Sequence, residues 1–269
     1  MNTFVEAVFL GLVEGTTEFL PISSTGHLIL TGDLLGFKGP PGRVFEIVIQ
    51  LGAILAVCVV YWQKLWAMAR SAVGDVVARR FWVAILVAFL PAAIAGLLLH
   101  NFIKTYLFNP WTVSMALIAG GIAIIAIERM SKHVRYTAIE TVPVARIAGI
   151  GLCQTIAMFP GVSRSGATIM GGLLLGLDRK TAAEFSFILA IPTMLGASSL
   201  DLWKNSAALS LNDAGVLATG FAAAFLAALI TVWLAIAFVS RVGFEPFGYY
   251  RILVGTLMLM LLASQAKPG

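Results

Sequence analysis

One segment of this chain recurs without a gap at a constant offset of 140 residues. Gly11-Leu12 through His27 lies over Gly151-Leu152 through Ala167, with Phe19 over Phe159, Ser23 over Ser163 and Gly26 over Gly166. The register continues to Leu34-Leu35-Gly36 over Leu174-Leu175-Gly176. Each copy sets a proline or glycine break and a serine-rich turn inside an apolar stretch. That combination is the mark of membrane proteins whose site is formed by two interrupted helices, one from each repeat. The copies differ where chemistry would sit: the first carries Glu14, Glu18 and His27, the second Gln154 and Arg164.

Composition decides the solvent. Of 269 residues 59% are hydrophobic and only 12% charged, against about 25% charged in soluble domains. Too little polar surface exists to cover a water-soluble fold of this size, so most of the exterior must face lipid. The net charge of +5 is not gathered into a basic, aromatic-interleaved patch, which argues against a nucleic-acid partner. Cys58 and Cys153 have no metal-ligand spacing and read as small buried apolar residues. The N-terminus has no basic leader and carries Glu6 and Glu14, unlike a cleaved signal peptide.

Six apolar runs have about the length that crosses the hydrocarbon layer as a helix: Val44–Trp62, Phe81–Leu99, Trp111–Ile127, Ala182–Trp203, Ala214–Val239 and Tyr249–Ser264. Two more, Phe4–Phe37 and Arg146–Leu177, are interrupted. Neither arm of either segment is long enough to span, which predicts two re-entrant helical hairpins with polar tips. The expected fold is therefore an all-α integral membrane protein with six spanning helices and two re-entrant hairpins in one membrane domain. Repeat 1 covers about residues 1–130 and repeat 2 about 146–269. Three spans per half make the second half enter upside down, an inverted-topology repeat.

Charge placement orients this arrangement. With the loop between the first two spans in the cytoplasm, twelve basic residues lie inside, from Lys64 through Lys132 to Arg251. Five lie outside: Lys38, Arg43, Lys104, Lys204 and Lys267. The excess satisfies the positive-inside rule. Both termini then face outward, and the hairpin tips can meet near mid-membrane.

The tips carry the reactive residues. Glu14 and Glu18, four apart, share one helix face, and ionisable groups at that depth are functional by default. Their alternative reading is a pair of interfacial carboxylates at a wet helix end. Pro21 ends the first arm, and Ser23 or Ser24 can cap the second, leaving N–H groups aimed at an anion. Ser24 and His27 stand three apart on the new helix, a nucleophile and base pair. In the second tip, Ser163, Ser165 and Thr168 offer hydroxyls, and Arg164 offers a planar fork suited to phosphate or to an ion pair with Glu14 or Glu18. Two carboxylates beside an anion trap repel the anion unless a divalent cation bridges them. Mg2+ or Ca2+ held by Glu14 and Glu18 is therefore expected, and the set reads as metal-assisted phosphoryl transfer.

On Glu14-Gly-Thr-Thr-Glu18, Pro21-Ile-Ser-Ser-Thr-Gly-His27 and Pro160-Gly-Val-Ser-Arg-Ser-Gly-Ala-Thr168 the chain resembles the bacterial undecaprenyl-diphosphatase family, also called the bacitracin-resistance family. Weaker likenesses are Phe45-Glu46, Glu184-Phe-Ser-Phe187 and Pro246-Phe-Gly-Tyr-Tyr-Arg251. The resemblance implies hydrolysis of a C55 polyprenyl diphosphate to the monophosphate carrier of cell-wall synthesis. It also implies a divalent-metal requirement, location in the bacterial cell (inner) membrane and a site reached from the outer face. On that reading Glu14, Glu18, Ser24, His27 and Arg164 are catalytic, Ser23, Thr25, Ser163, Ser165 and Thr168 bind substrate, and either Ser24 or His27 attacks phosphorus. Gln50 and Glu46 are further candidates from the neighbouring span. A flippase of the polyprenyl phosphate is the rival reading, and a homodimer is compatible with the sequence.

Overall fold

The computed structural model describes residues 3–37, 39–40, 43–102, 109–131, 133–204 and 210–265, with the side chains of 100–102, 211 and 265 outside the description. Eleven α-helices are present among the described residues: α1 Thr3–Thr17, α2 Ser24–Leu35, α3 Val44–Val60, α4 Trp62–Ser71, α5 Val76–Phe102, α6 Pro110–Met130, α7 Val144–Ile156, α8 Arg164–Leu174, α9 Arg179–Lys204, α10 Ala214–Arg241 and α11 Glu245–Gln265. The protein is an all-α membrane protein. Of the basic residues used to orient it, Lys38, Lys104, Lys132 and Lys267 lie outside the described residues.

Helices α5, α6, α9, α10 and α11 are each long and apolar enough to cross a membrane. They contain the apolar runs expected at those places and extend past them into polar flanks. The first expected span behaves differently. It stops at Val60, and α3 and α4 meet the same criterion only as a pair, bent by 68°. The bend sits at Tyr61, with φ −98° and ψ 11°. Beyond it come Trp62, Lys64, Trp66 and Arg70, with the Arg70 guanidinium 4.6 Å from the Trp66 ring centroid. Tryptophan and basic residues prefer the membrane–water boundary, so the chain turns there instead of continuing straight.

The interrupted segments form two short helix pairs, α1/α2 and α7/α8. The longest of the four, α1, has 15 residues and reaches about 22 Å at 1.5 Å per residue, short of the roughly 30 Å of hydrocarbon. The two breaks are built alike. Ser23 and Ser163 both have positive φ, 71° and 76°. Gly36 and Gly176, which end α2 and follow α8, are both left-handed at 62° and 97°. Each pair is separated by the 140-residue offset read in the sequence.

Packing crosses between the halves. Helix α1 lies along α10, while α7 lies along α5, so each half's first helix packs on a long helix of the other half. In lipid no hydrophobic force drives such contacts, and small residues make close approach possible. Gly11 and Gly15 of α1 face Gly220, Ala224 and Ala228 of α10, and a methyl at Gly11 would collide with the Gly220 carbonyl. Gly151 of α7 meets the Ala88 carbonyl of α5 in the same way. Helices α3 and α9 pack together, as do α6 and α11. This arrangement brings the two breaks face to face.

Candidate active site

The first break reverses the chain at Pro21, which returns Ser24 to within reach of Glu18. The Ser24 hydroxyl donates to Glu18 Oε2 at 2.5 Å. From the opposite repeat, Arg164 donates to Glu18 Oε1 through Nη2 at 3.3 Å and Nε at 3.4 Å. Its remaining nitrogen, Nη1, donates to the Ser186 carbonyl at 2.8 Å. Phe19 lies under the guanidinium, 6.0 Å from ring centroid to Cζ, and Phe187 closes against Phe19 edge to face at 5.5 Å. The apolar floor and the α9 carbonyl fix the plane of the fork. Glu18 is thereby oriented by one repeat while it receives a hydroxyl proton donor from the other arm of its own.

These groups line a cavity of about 520 Å³. Ser23, Ser24, Thr25, Glu18, Ser163 and Arg164 form its polar floor. Its walls are apolar: Phe89, Ala92 and Leu97 from α5, Met158 and Phe159 from the second break, and Met194 and Leu200 from α9. Gln50, Gln154 and Thr193 place a few polar groups on those walls. A mostly apolar chamber ending in a tight cluster of convergent polar groups is the usual form of a small-molecule site.

Several expected site residues stand elsewhere. Glu14 is 2% exposed and off the cavity surface, although it is within electrostatic reach of Glu18, Glu46 and Arg164. Ser165 is fully buried and donates to the Leu20 carbonyl at 2.8 Å, stitching the second break to the first. Thr168, 1% exposed, bonds to the Arg164 carbonyl at 2.9 Å and to the Ser186 hydroxyl at 2.6 Å. Both hold the turn that carries Arg164 and neither reaches the cavity. Gln50 reaches the cavity and Glu46 does not. Cys58 and Cys153 are free and partly buried.

The Ser24–His27 pairing is not formed. His27 Nδ1 donates to the Ser23 carbonyl at 2.8 Å, because a carbonyl oxygen can only accept. Nε2 then receives the Tyr250 hydroxyl, also at 2.8 Å, and the two rings are nearly parallel at 5.5 Å. Both ring nitrogens are engaged away from Ser24, whose hydroxyl finds the stronger, charged acceptor on Glu18.

Capping differs between the repeats. Ser163 caps α8 by accepting from the Gly166 N–H at 3.1 Å, and its own hydroxyl proton goes to Ser165 Oγ at 3.0 Å. Ser23, in the same backbone conformation, makes no side-chain cap for α2. The first N–H groups of α2 therefore keep their capacity for an anion.

Among the described residues no group of three or more His, Cys, Asp and Glu side chains converges as a metal cage. The oxygen set on the cavity floor nonetheless suits a hard divalent ion shared with a substrate. Mg2+ commonly takes one or two protein carboxylates and completes its shell with phosphate oxygens and water. Glu18 is the carboxylate that faces the cavity, and Glu14 stands behind it.

One residue of the site was read differently from sequence. Arg251, counted there among the cytoplasmic charges, is 1% exposed and lies between the two breaks. Its signal was faint: a single arginine near the start of an apolar helix, three residues after Gly248.

The family profile described as bacitracin resistance protein BacA matches residues 7–257. Undecaprenyl-diphosphatase 2 of Paramagnetospirillum magneticum is 56% identical over 260 residues, 96% of this chain and 98% of that protein. The undecaprenyl-diphosphatase of Parvibaculum lavamentivorans is 54% identical over 257 residues, 96% of each chain. Undecaprenyl-diphosphatase 1 of Agrobacterium fabrum is 52% identical over 262 residues, 97% of each.

Proposed function

The chain belongs to the bacitracin resistance protein BacA family, and from that premise we propose that it hydrolyses undecaprenyl diphosphate to undecaprenyl phosphate and inorganic phosphate. The observation that carries the reading is the Ser24 hydroxyl held at 2.5 Å on Glu18, with Arg164 on the other carboxylate oxygen, at the floor of an apolar-walled cavity. A nucleophile, a base and a third group orienting the base make up the general logic of covalent catalysis.

In the reaction we infer, the diphosphate lies on the cavity floor and the polyprenyl chain leaves along the apolar wall. Ser24 Oγ attacks the terminal phosphorus and its proton passes to Glu18 Oε2. The bond from that phosphorus to the bridging oxygen breaks, and undecaprenyl phosphate departs. Glu18 passes that proton to the departing bridging oxygen. Water then attacks the seryl phosphate and gives a proton to Glu18, which returns it to Ser24 Oγ as the serine–phosphate bond breaks and phosphate is released. Arg164, the Thr25 hydroxyl and the uncapped N–H groups of α2 stabilise the charge on the equatorial oxygens, where such reactions gain most of their rate, while Ser163 caps the helix that carries Arg164. Glu14 stands buried behind Glu18, and Ser165 and Thr168 hold the Arg164 turn. Glu18 would hold a divalent cation such as Mg2+ or Ca2+, which would supply charge neutralisation and orientation.

The arrangement in the membrane follows from the same reading. Two helix pairs with matching positive-φ serines and crossed packing support an inverted repeat with re-entrant tips. Removing Arg251 from the charge count leaves eleven basic residues inside against five outside, an excess that still supports the same orientation. Both termini then face out of the cell. The cavity runs toward Leu97, Leu200 and Asp201, near the ends of α5 and α9, which open to the outer face of the bacterial inner membrane in that orientation. A homodimer is compatible with this arrangement.

The test is phosphate release from undecaprenyl diphosphate by purified protein in detergent. Release abolished by Ser24→Ala in a protein that still purifies as a folded species supports the reading, and undiminished release overturns it. Crossed halves also fit a carrier that returns the monophosphate lipid across the bilayer. Lipid flipping in protein-containing vesicles without any phosphate release favours that carrier instead.

A further inference from the structure

Among the described residues Arg251 is the largest fully buried side chain, and it has no carboxylate partner there. All five of its N–H donors are directed at main-chain carbonyls. Nη1 donates to Pro21 at 3.1 Å and to Val162 at 2.9 Å. Nη2 donates to Gly161 at 2.9 Å and to Ala116 at 3.1 Å, and Nε to Leu117 at 3.3 Å. One guanidinium therefore joins the first break, the second break and α6. Pro21 is two residues before Ser23, and Val162 is two residues before Arg164.

A buried, unpaired arginine is costly unless its donors are fully satisfied, and here carbonyl dipoles supply that compensation. Carbonyls already bonded within α6 can accept again through their second lone pair. The approach depends on Gly120: a methyl group there would occupy the position of the guanidinium itself. Lysine, with three donors on a point charge, cannot bridge carbonyls on three segments in one plane.

We propose that Arg251 is a positioning residue that fastens the two breaks to each other and to α6, so that Ser24, Glu18 and Arg164 keep catalytic register. This rests on the phosphatase reading for its effect on rate, while the fastening itself is testable without it. A shift of about 1 Å in such a constellation lowers the rate roughly 100-fold.

The experiment compares Arg251→Lys, Arg251→Met and Gly120→Ala with the parent chain. Nitroxide labels are placed at Thr16 and Ile156, exposed equivalent positions at the ends of α1 and α7, in a Cys58→Ala, Cys153→Ala background. Pulsed dipolar spectroscopy gives the spread of distances between the arms, and phosphate release gives kcat and KM. The expected result is a broadened distance distribution in all three variants, with kcat lowered about 100-fold and KM changed much less. Gly120→Ala keeps the charge and displaces only the fork, so it speaks to geometry if Arg251→Met does not fold. An unchanged distribution in Arg251→Lys and Gly120→Ala overturns the proposal, whether or not activity falls. A parent chain that releases no phosphate but shows the same broadening in its variants sinks the phosphatase reading and leaves the fastening in place.

Discussion

Glu18 and Arg164 are 146 positions apart in the chain, and their side chains meet at 3.3 Å on the floor of the cavity. The pair is nearly enclosed, with side-chain exposures of 7% and 11%. A buried pair of this kind contributes little net stability, because desolvation offsets most of the attraction. Its value is geometric: it fixes which carboxylate oxygen is left for Ser24. Arg164→Lys keeps the charge but loses the fork. Phosphate release by Arg164→Lys should fall about 100- to 1,000-fold, measured at saturating lipid. Activity within threefold of the parent would show that charge alone suffices.

Ser24 and Glu18 act as one unit in this account. Ser24→Ala and Glu18→Gln should each lower kcat by about 1,000-fold or more, and the double variant should be little worse than either, since residues that work together give non-additive losses. Steady-state kinetics on the three variants checks this. Multiplicative losses would mean that the two residues act independently.

His27 is committed to the Ser23 carbonyl and the Tyr250 hydroxyl, which makes it a brace for the start of α2. His27→Gln preserves hydrogen bonding and should keep activity within about tenfold of the parent. Removal of a general base would cost roughly 100- to 10,000-fold. The same kinetic assay separates these outcomes.

Ser23 holds a positive φ of 71° without the compensation of a cap bond. Non-glycine residues in that region carry strain on the order of 1–2 kcal/mol. Ser23→Gly should therefore raise stability toward unfolding in detergent by about 1 kcal/mol. Ser163→Ala, which removes a cap bond at equal strain, should lower it by about 1 kcal/mol. Thermal unfolding followed by circular dichroism reads both signs.

The cavity floor offers oxygen donors and no nitrogen or sulfur cage, so activity should vanish after chelation and return with Mg2+ or Ca2+. Glu18→Gln should raise the metal concentration needed for half-maximal rate in whatever activity remains. Full activity in a chelator would remove the ion from the account.

The long apolar helices and both breaks were legible because period, length and the proline, glycine and serine breaks are local properties of the chain. The 140-residue offset even anticipates the matching positive φ values of Ser23 and Ser163. The bend at Tyr61 was not legible, since Trp62 extends the apolar run by composition while its ring belongs at the membrane boundary. Spacing alone favoured Ser24 with His27 on one helix. The closer acceptor, Glu18, comes into reach only when the chain reverses at Pro21, and helical periodicity does not carry across that reversal. Arg251 resembled an interfacial charge because its five acceptors are backbone carbonyls, which leave no trace in side-chain sequence.

The most direct measurement is rapid quenching of the purified protein with undecaprenyl diphosphate labelled in its terminal phosphate, followed by mapping of the labelled peptide. Phosphate on Ser24, absent in Ser24→Ala and accumulating when water attack is slowed, is the result this account predicts. Label on His27, with Ser24→Ala turning over normally, would contradict it.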